Sequence, residues 1–503
     1  MIGRLHSPYD QDLVPGSRLF PSPRLAGSAV ALALAGFLIG CARHPQLPSS
    51  PPILLLTVDT LRADHLSTYG YPRETSPAID RIAREGTRFD FAITQWPKTG
   101  PSFASIMTST YPKDNNIVRR VGIKLSCSFR LLAEKLHRLG YDTRGVVSNG
   151  ALGREFAFDQ GFDDYVETWK DARGAAAINV ATRAERVTDL ALASADARDR
   201  SKPLFLWVHY LDPHFPYDPP QEYRDRFQGD GLVATGATVP IDRTSSRRFD
   251  DAIGNSQVLD GRSDLDFYVA RYDAEIAYTD HEIGRLIEGL QQRGLYQRML
   301  VVFTSDHGEA LGEHGYYFGH GMYPFQDGLH VPLIVRLPHV VPRGVDKAPV
   351  PLLDVSPTIL QAAGESLPNG RWQQGRSLLH RLWSRSPEKG RLVYSESGVA
   401  IRRHWMKSVT DGRYKLVWVP SVQAQRRVLK KLSDFALFDL NADPGEVRDI
   451  ATDHQRIVSE FQSRLRTWFL APKFLVDLDP ADCSPGSQTA PATLEQLKAL
   501  GYL

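Results

Sequence analysis

Residues 53–58, Ile53-Leu54-Leu55-Leu56-Thr57-Val58, form a short, almost wholly apolar run that ends in Asp59. A strand with one wet face alternates apolar and polar side chains, so a run without alternation reads as a strand buried on both faces, the habit of parallel sheets. The arrangement recurs at residues 203–208, followed by His209, Asp212 and His214, and at residues 299–304, followed by Asp306 and His307. In open α/β sheets ligands bind beyond the carboxyl ends of the strands. Three strands that deliver acids and histidines there predict one shared site. Helix-like segments at 78–85, 129–139, 181–197 and 272–293 separate the strands, which gives the alternation of a doubly wound α/β sheet.

The catalytic domain is expected to run from residue 53 to about residue 390. Within it, residues 228–264 are polar, rich in Gly, Ser, Asp and Arg, and without periodicity. They read as a surface excursion over the site or as a flexible insertion. From 391 to 503 the character changes. Residues 405–418 alternate around Asp411-Gly412, a hairpin signal, residues 436–440 give another short strand, and Ile457, Phe461, Leu465 and Trp468 mark one face of an amphipathic helix. A small antiparallel sheet with a packed helix, an α+β subdomain, is the expectation. There are no internal repeats.

The chain has 503 residues, 42% hydrophobic and 23% charged, which fits a packed globular enzyme and excludes a disordered or fibrous chain. Its 60 Lys plus Arg balance 58 Asp plus Glu, so no field marks nucleic acid or an anionic membrane as a partner. Residues 25–40 are an apolar, small-residue run preceded by Arg18 and Arg24, too short to span comfortably and shaped like a signal h-region. The run leads into Leu38-Ile39-Gly40-Cys41, which resembles a bacterial lipobox, where cleavage precedes a lipidated cysteine. Residues 1–40 thus read as a lipoprotein signal peptide and 41–52 as a Pro/Ser-rich tether; an uncleaved anchor is the other reading. Both place the protein in the cell envelope, at the periplasmic or extracellular face, touching the membrane only through its N-terminal anchor. In that oxidising compartment Cys127 and Cys483 either pair or stay as free thiols.

Thr99-Gly100-Pro101-Ser102 leads into 103–108, which reads as a helix start with Pro101 in the first turn, where its missing N–H costs nothing. A hydroxyl there meets free backbone N–H groups and the positive end of the helix dipole, and a coordinated cation would favour its alkoxide further. Thr99 is therefore a candidate nucleophile, with an ordinary Thr N-cap as the plainer reading of the segment taken alone. Asp306-His307-Gly308-Glu309 sets a carboxylate beside an imidazole. With Asp59 and Thr99 it makes a ligand set for a divalent ion. Oxygen-rich coordination suits Ca, Mg or Mn, and a His-richer set suits Zn.

Seven segments, ILLLTVDTLRADHLSTYGY from residue 53, TGPSFASIMTSTYP from 99, HYLDPHFPY from 209, FTSDHGEALGEHGYYFGHG from 303, HVPLIVRLP from 330, LLDVSPTILQAAG from 352 and LFDLNADPGEVRDIA from 437, resemble landmarks of the sulfatase family in the family's order. The resemblance spans about residues 53–455. It implies an alkaline phosphatase-like α/β fold, with a large mixed sheet flanked by helices on both faces, a metal at the nucleophile and a smaller C-terminal α+β domain.

The departures from the family carry as much meaning. Sulfatases have Cys or Ser in a C/S-x-P-x-R motif that is oxidised to formylglycine, whereas here Thr99 stands at the Cys position and Phe103 at the Arg. A secondary alcohol cannot yield that aldehyde. The family's second acidic ligand after the first strand is Thr60 here, and its G-K-W-H-L-G segment reads Ser148-Asn149-Gly150-Ala151-Leu152-Gly153, without the Lys and the His. A Thr nucleophile is similar to those of the superfamily's phosphodiesterases and phosphoethanolamine or phosphoglycerol transferases, where an Asn holds a phosphate oxygen, and Asn149 is the candidate. The resemblance places His320 where such enzymes carry a further histidine. Asp212, His214 and His320 are then a candidate second metal site, or else orient substrate and leaving group, so one or two ions stay open. Glu309, Glu313 and His314 are expected to anchor the loop, and His209 is as readily structural.

Three readings follow: a metal-dependent phosphoester hydrolase or transferase acting through Thr99, a sulfuric ester hydrolase that works without formylglycine, and an inactive envelope protein that binds an anionic glycan or lipid. The expected substrate is an anionic ester on a glycan, lipid head group or small molecule.

Overall fold

The computed structural model of this chain describes residues 47–500, apart from 116, 118–123, 229–234, 246–250, 367–372, 385–390, 399–404, 421–428, 430, 431 and 472–490. The expected signal segment, Cys41, the first half of the tether and Cys483 lie outside the described residues; Cys127 is disulfide-bonded. Among the described residues no helix is long and apolar enough to cross a membrane.

Among the described residues nine strands form the central sheet: β1 (Ile53–Val58), β2 (Thr87–Ile93), β3 (Asp142–Val147), β4 (Asp164–Glu167), β5 (Leu204–Tyr210), β6 (Leu300–Ser305), β7 (His330–Arg336), β8 (Gly344–Asp346) and β9 (Val350–Pro351). Their order is β8-β2-β7-β6-β1-β5-β3-β4, and β9 also pairs with β2. The block β6-β1-β5-β3-β4 is parallel, and β7 runs antiparallel to both β6 and β2. The sheet is therefore mixed.

The unbroken apolar runs have a direct cause. On β1, Ile53 and Leu55 enter one core while Leu54, Leu56 and Val58 enter another, and β5 and β6 alternate in the same way. The first core is closed by α2 (Thr99–Thr108), α3 (Leu132–Arg138) and α6 (Val355–Ala362), the second by α1 (Pro77–Glu85), α4 (Ala184–Asp196) and α5 (Leu265–Gln292). Successive side chains point to opposite faces, so helices on both faces demand apolar residues at every position. The α5 helix begins seven residues before the sequence expectation of 272, because Tyr268 belongs to the same buried face as Tyr272.

The C-terminal unit holds four antiparallel strands in chain order, Val393–Ser397, Met406–Thr410, Tyr414–Trp418 and Phe435–Asp439. The hairpin at Asp411-Gly412 is present, with Gly412 at φ 97°, a left-handed turn position that favours glycine. Helix α7 (Gln455–Leu470) packs Val458, Phe461 and Leu465 onto Val409, Leu416 and Leu437. Helix α8 (Pro491–Ala499) departs from the expectation that everything after 391 belongs to this unit. Its Ala492 and Leu497 join the core that contains Leu152 and Trp169. In the 228–264 excursion, Ile241–Asp242 pairs with Ile253–Gly254, Val239 and Ile253 are anchored in the second core, and Asp251 N–H donates to Gly315 O.

Candidate metal and nucleophile site

The parallel register decides where the chemistry lies. Val58 pairs with Tyr210 on one side and Ser305 on the other, so Asp59, His209 and Asp306 stand together at the carboxyl edge of the sheet. Asp59, Asp306 and His307 are fully buried, and their ligand atoms lie within 4.8 Å of one another. His307 Nε2 is 3.3 Å from Asp306 Oδ2 and 3.7 Å from Asp59 Oδ1. His307 Nδ1 donates to Gly308 O at 2.9 Å, which leaves Nε2 as the lone-pair nitrogen facing the carboxylates. Thr99 Oγ1 lies 3.2 Å from that nitrogen.

Thr99 is the first residue of α2 and Lys98 its N-cap, so the hydroxyl sits among the unpaired N–H groups of the first turn. Ser102 Oγ fixes this helix end by donating to Asp306 O at 2.7 Å. Gly308 lets its loop pack against the backbone of Asp327, since a Cβ there would lie 2.0 Å from Asp327 O.

Asp59 Oδ1 and Asp306 Oδ2 are buried without a hydrogen-bond donor among the described residues. Two acceptors with no donor, beside an unprotonated imidazole nitrogen, fit a divalent cation. The electrostatics agree. Burial and the Asp59 charge push the Asp306 carboxyl well above its ordinary range. Burial also acts to raise Asp59, but His209, His214 and His307 outweigh it and hold Asp59 at about 2. Burial lowers His307.

The other expected residues divide. Asn149 sits at the end of β3, and its Nδ2 donates to Asp59 Oδ2 at 2.5 Å. His214 and His320 meet, with Nε2 atoms 3.2 Å apart, and the His320 ring lies tilted against that of His307 with centroids 4.3 Å apart. Burial, then the neighbouring imidazoles, drive His320 well below its usual range, which keeps it neutral. Asp212 does not join them. Its Oδ2 accepts the Ala184 N–H at 2.9 Å and caps α4, so the expected set Asp212, His214 and His320 is not assembled. Among the described residues only Asp59, Asp306 and His307 make a cluster of three potential ligands.

Glu309 and Glu313 tie the loop down, the first accepting from Tyr217 Oη at 2.6 Å and the second paired with Arg62 at 2.6 Å. His314 stacks on Phe325. Two residues matter more than the sequence suggested. His209 Nε2 lies 3.4 Å from Asp59 Oδ2, and its Nδ1 is tied to Thr57 Oγ1 at 3.1 Å. Lys98 lies against Gly321 in the His320 loop; burial lowers it to about 8, and its charge acts on both His307 and His320. Its place immediately before Thr99 was the available signal. Phe103 is wholly buried, packed 5.0 Å from the His209 ring and 5.2 Å from Trp207.

Residues 51–365 match the sulfatase family profile, and residues 312–469 match that of the N-sulphoglucosamine sulphohydrolase C-terminal region. The N-acetylglucosamine-6-O-sulfatase of Bacteroides thetaiotaomicron is 24% identical over 507 residues, covering 84% of this chain and 87% of that one. A solved structure in complex with its substrate D-glucosamine-2-N,6-O-disulfate superposes with a TM-score of 0.66 at 21% identity, over 87% of this chain and 100% of the other. The phosphonate monoester hydrolase of Agrobacterium radiobacter gives 0.64 at 21% identity, over 84% and 96%.

Proposed function

This chain belongs to the sulfatase family, with its alkaline phosphatase-like fold and its ester-hydrolase activity, and from that premise we propose that it cleaves a phosphoester with Thr99 as nucleophile. The observation that carries the reading is the Thr99 hydroxyl 3.2 Å from His307 Nε2, the nitrogen that faces Asp59 and Asp306 in the three-residue cluster. A divalent cation held by these side chains would polarise the ester and favour the alkoxide. Thr99 Oγ1 bonds to phosphorus as the bond to the departing oxygen breaks, and the hydroxyl proton ends on the departing alcohol. Water or an acceptor alcohol then releases the phosphoryl group from Thr99. Lys98 faces the transferred group as the cation that the family arginine would supply, and His214 with neutral His320 orients the leaving group.

The substrate is an anionic ester on a glycan, lipid head group or small molecule. Relatives named for sulfated sugars support this chemistry and a second reading, sulfuric ester hydrolysis without formylglycine. A panel of an aryl sulfate, a phosphomonoester, a phosphodiester and a phosphonate monoester separates the two. Preference for the sulfate would overturn the first reading. Thr99→Ala should lower kcat about a thousandfold or more on the preferred ester; a variant that keeps a tenth of the rate excludes Thr99 as nucleophile. The leader supports a cell-envelope location through a lipidated Cys41. Fractionation of Cys41→Ala is then expected to move the protein out of the membrane pellet.

A further inference from the structure

The turn that carries Asn149 is held by α8, the last helix among the described residues. Gln496 of α8 is 1% exposed, and its Nε2 donates to Ser148 O at 2.7 Å. Three residues earlier, Thr493 Oγ1 accepts from Trp169 Nε1 at 3.0 Å and donates to Glu155 Oε1 at 3.0 Å, which fixes the helix laterally. The close approach depends on Gly150. A Cβ there would lie 2.5 Å from Gln496 Oε1 and 3.5 Å from Thr493 Cγ2. On the other side of the turn, Ser148 Oγ donates to His209 O, Asn149 Oδ1 accepts from Ala151 N–H, and Asn149 Nδ2 reaches Asp59 Oδ2. The links run unbroken from the C-terminal helix to the carboxylate.

We propose that Gln496 is a positioning residue of the metal site, acting through Ser148 and Asn149 to hold Asp59 with its Oδ1 turned toward Asp306 and His307. The inference rests on the reading of Asp59 as a metal ligand. It extends the site to a part of the chain 348 residues beyond Ser148. Partners behind a metal ligand fix its orientation and typically change affinity about 10- to 100-fold when lost. One hydrogen bond further back corresponds to about a twofold to tenfold change.

The test is Mn²⁺ titration calorimetry on the metal-stripped full chain, with kcat and KM on bis(4-nitrophenyl) phosphate. Asn149→Ala should weaken Mn²⁺ binding about 10- to 100-fold. Gln496→Met should weaken it about two- to tenfold and lower kcat with KM little changed. Gln496→Leu also removes the donated hydrogen, adds no titratable group and runs beside it in case the Met variant folds poorly. In the Asn149→Ala background the Gln496 substitution should add nothing. Wild-type Mn²⁺ affinity in both folded Gln496 variants, or a full additional loss on top of Asn149→Ala, overturns the proposal. Unchanged Mn²⁺ affinity in Asn149→Ala overturns the proposal as well, whereas unchanged Mn²⁺ affinity in Asp59→Ala overturns the ligand reading on which it stands.

Discussion

Lys98 and Phe103 together show how one helix start redistributes charge. Phe103, four residues after Thr99, carries no charge and is sealed against Trp207 and His209. Lys98, the N-cap residue immediately before Thr99, carries the charge instead, and that charge reaches His307 and His320. A preorganised cation in a partly desolvated site stabilises an anionic group more than it would in water. Lys98→Met should therefore raise KM for the preferred ester about tenfold or more in a variant that still folds. Steady-state kinetics and a melting curve check this; unchanged KM removes Lys98 from substrate contact. At this scale the sequence was partly legible. Asp59, Asp306 and His307 follow from strand ends alone, since a parallel register aligns whatever comes next. Asp212 did not, because an acid two residues past β5 serves a helix cap as readily as a metal, and only the direction of the α4 axis decides. His209 was named among the strand-end residues but left as readily structural, since the strand runs through it to Tyr210 and a histidine at a penultimate strand position also reads as core.

Strands carry a second lesson. Elements with a strong period were legible: β1, β5 and β6 fall within two residues of expectation, and the 411–412 hairpin lies where its turn residues put it. What pattern cannot carry is which distant strands pair and which buried polar residues face each other. Glu396 and Lys407 are directly opposite in the first hairpin pair of the C-terminal sheet, 3.8 Å apart and nearly wholly buried. Burial raises the Glu396 carboxyl to about 7, with Lys407 opposing, and burial lowers Lys407. The unfolded chain ionises this glutamate near its ordinary 4.5, so between 4.5 and 7 the native state holds the extra proton. Its contribution to stability is full below 4.5 and is lost as pH rises through 7. Glu396→Gln should flatten this part of the stability profile, so that the variant gains on the wild type across that window. Melting temperatures from pH 4.5 to 8 measure it, and a constant difference between the two proteins would refute the assignment.

For the molecule as a whole, the sheet edge concentrates two carboxylates that the apo protein can hold only under electrostatic stress. Asp59 stays ionised and Asp306 is pushed well up by burial and by that neighbour. A cation that binds the native cluster and not the unfolded chain relieves this stress and adds RT ln(1 + [L]/Kd), about 2.7 kcal/mol at a hundredfold excess over Kd. The native enzyme should therefore melt several degrees higher with Mn²⁺ or Zn²⁺ than after chelation. Asp306→Asn separates this from nonspecific ion effects, because it deletes both a ligand and the repulsion. The variant should match or exceed the chelated wild type in stability, since an amide beside Asp59 carries no second charge, and should gain nothing from added metal. The two proteins then cross, the variant ahead without metal and the wild type ahead with it. A variant that still gains the full metal-dependent increment would place the stabilising ion elsewhere than between β1 and β6.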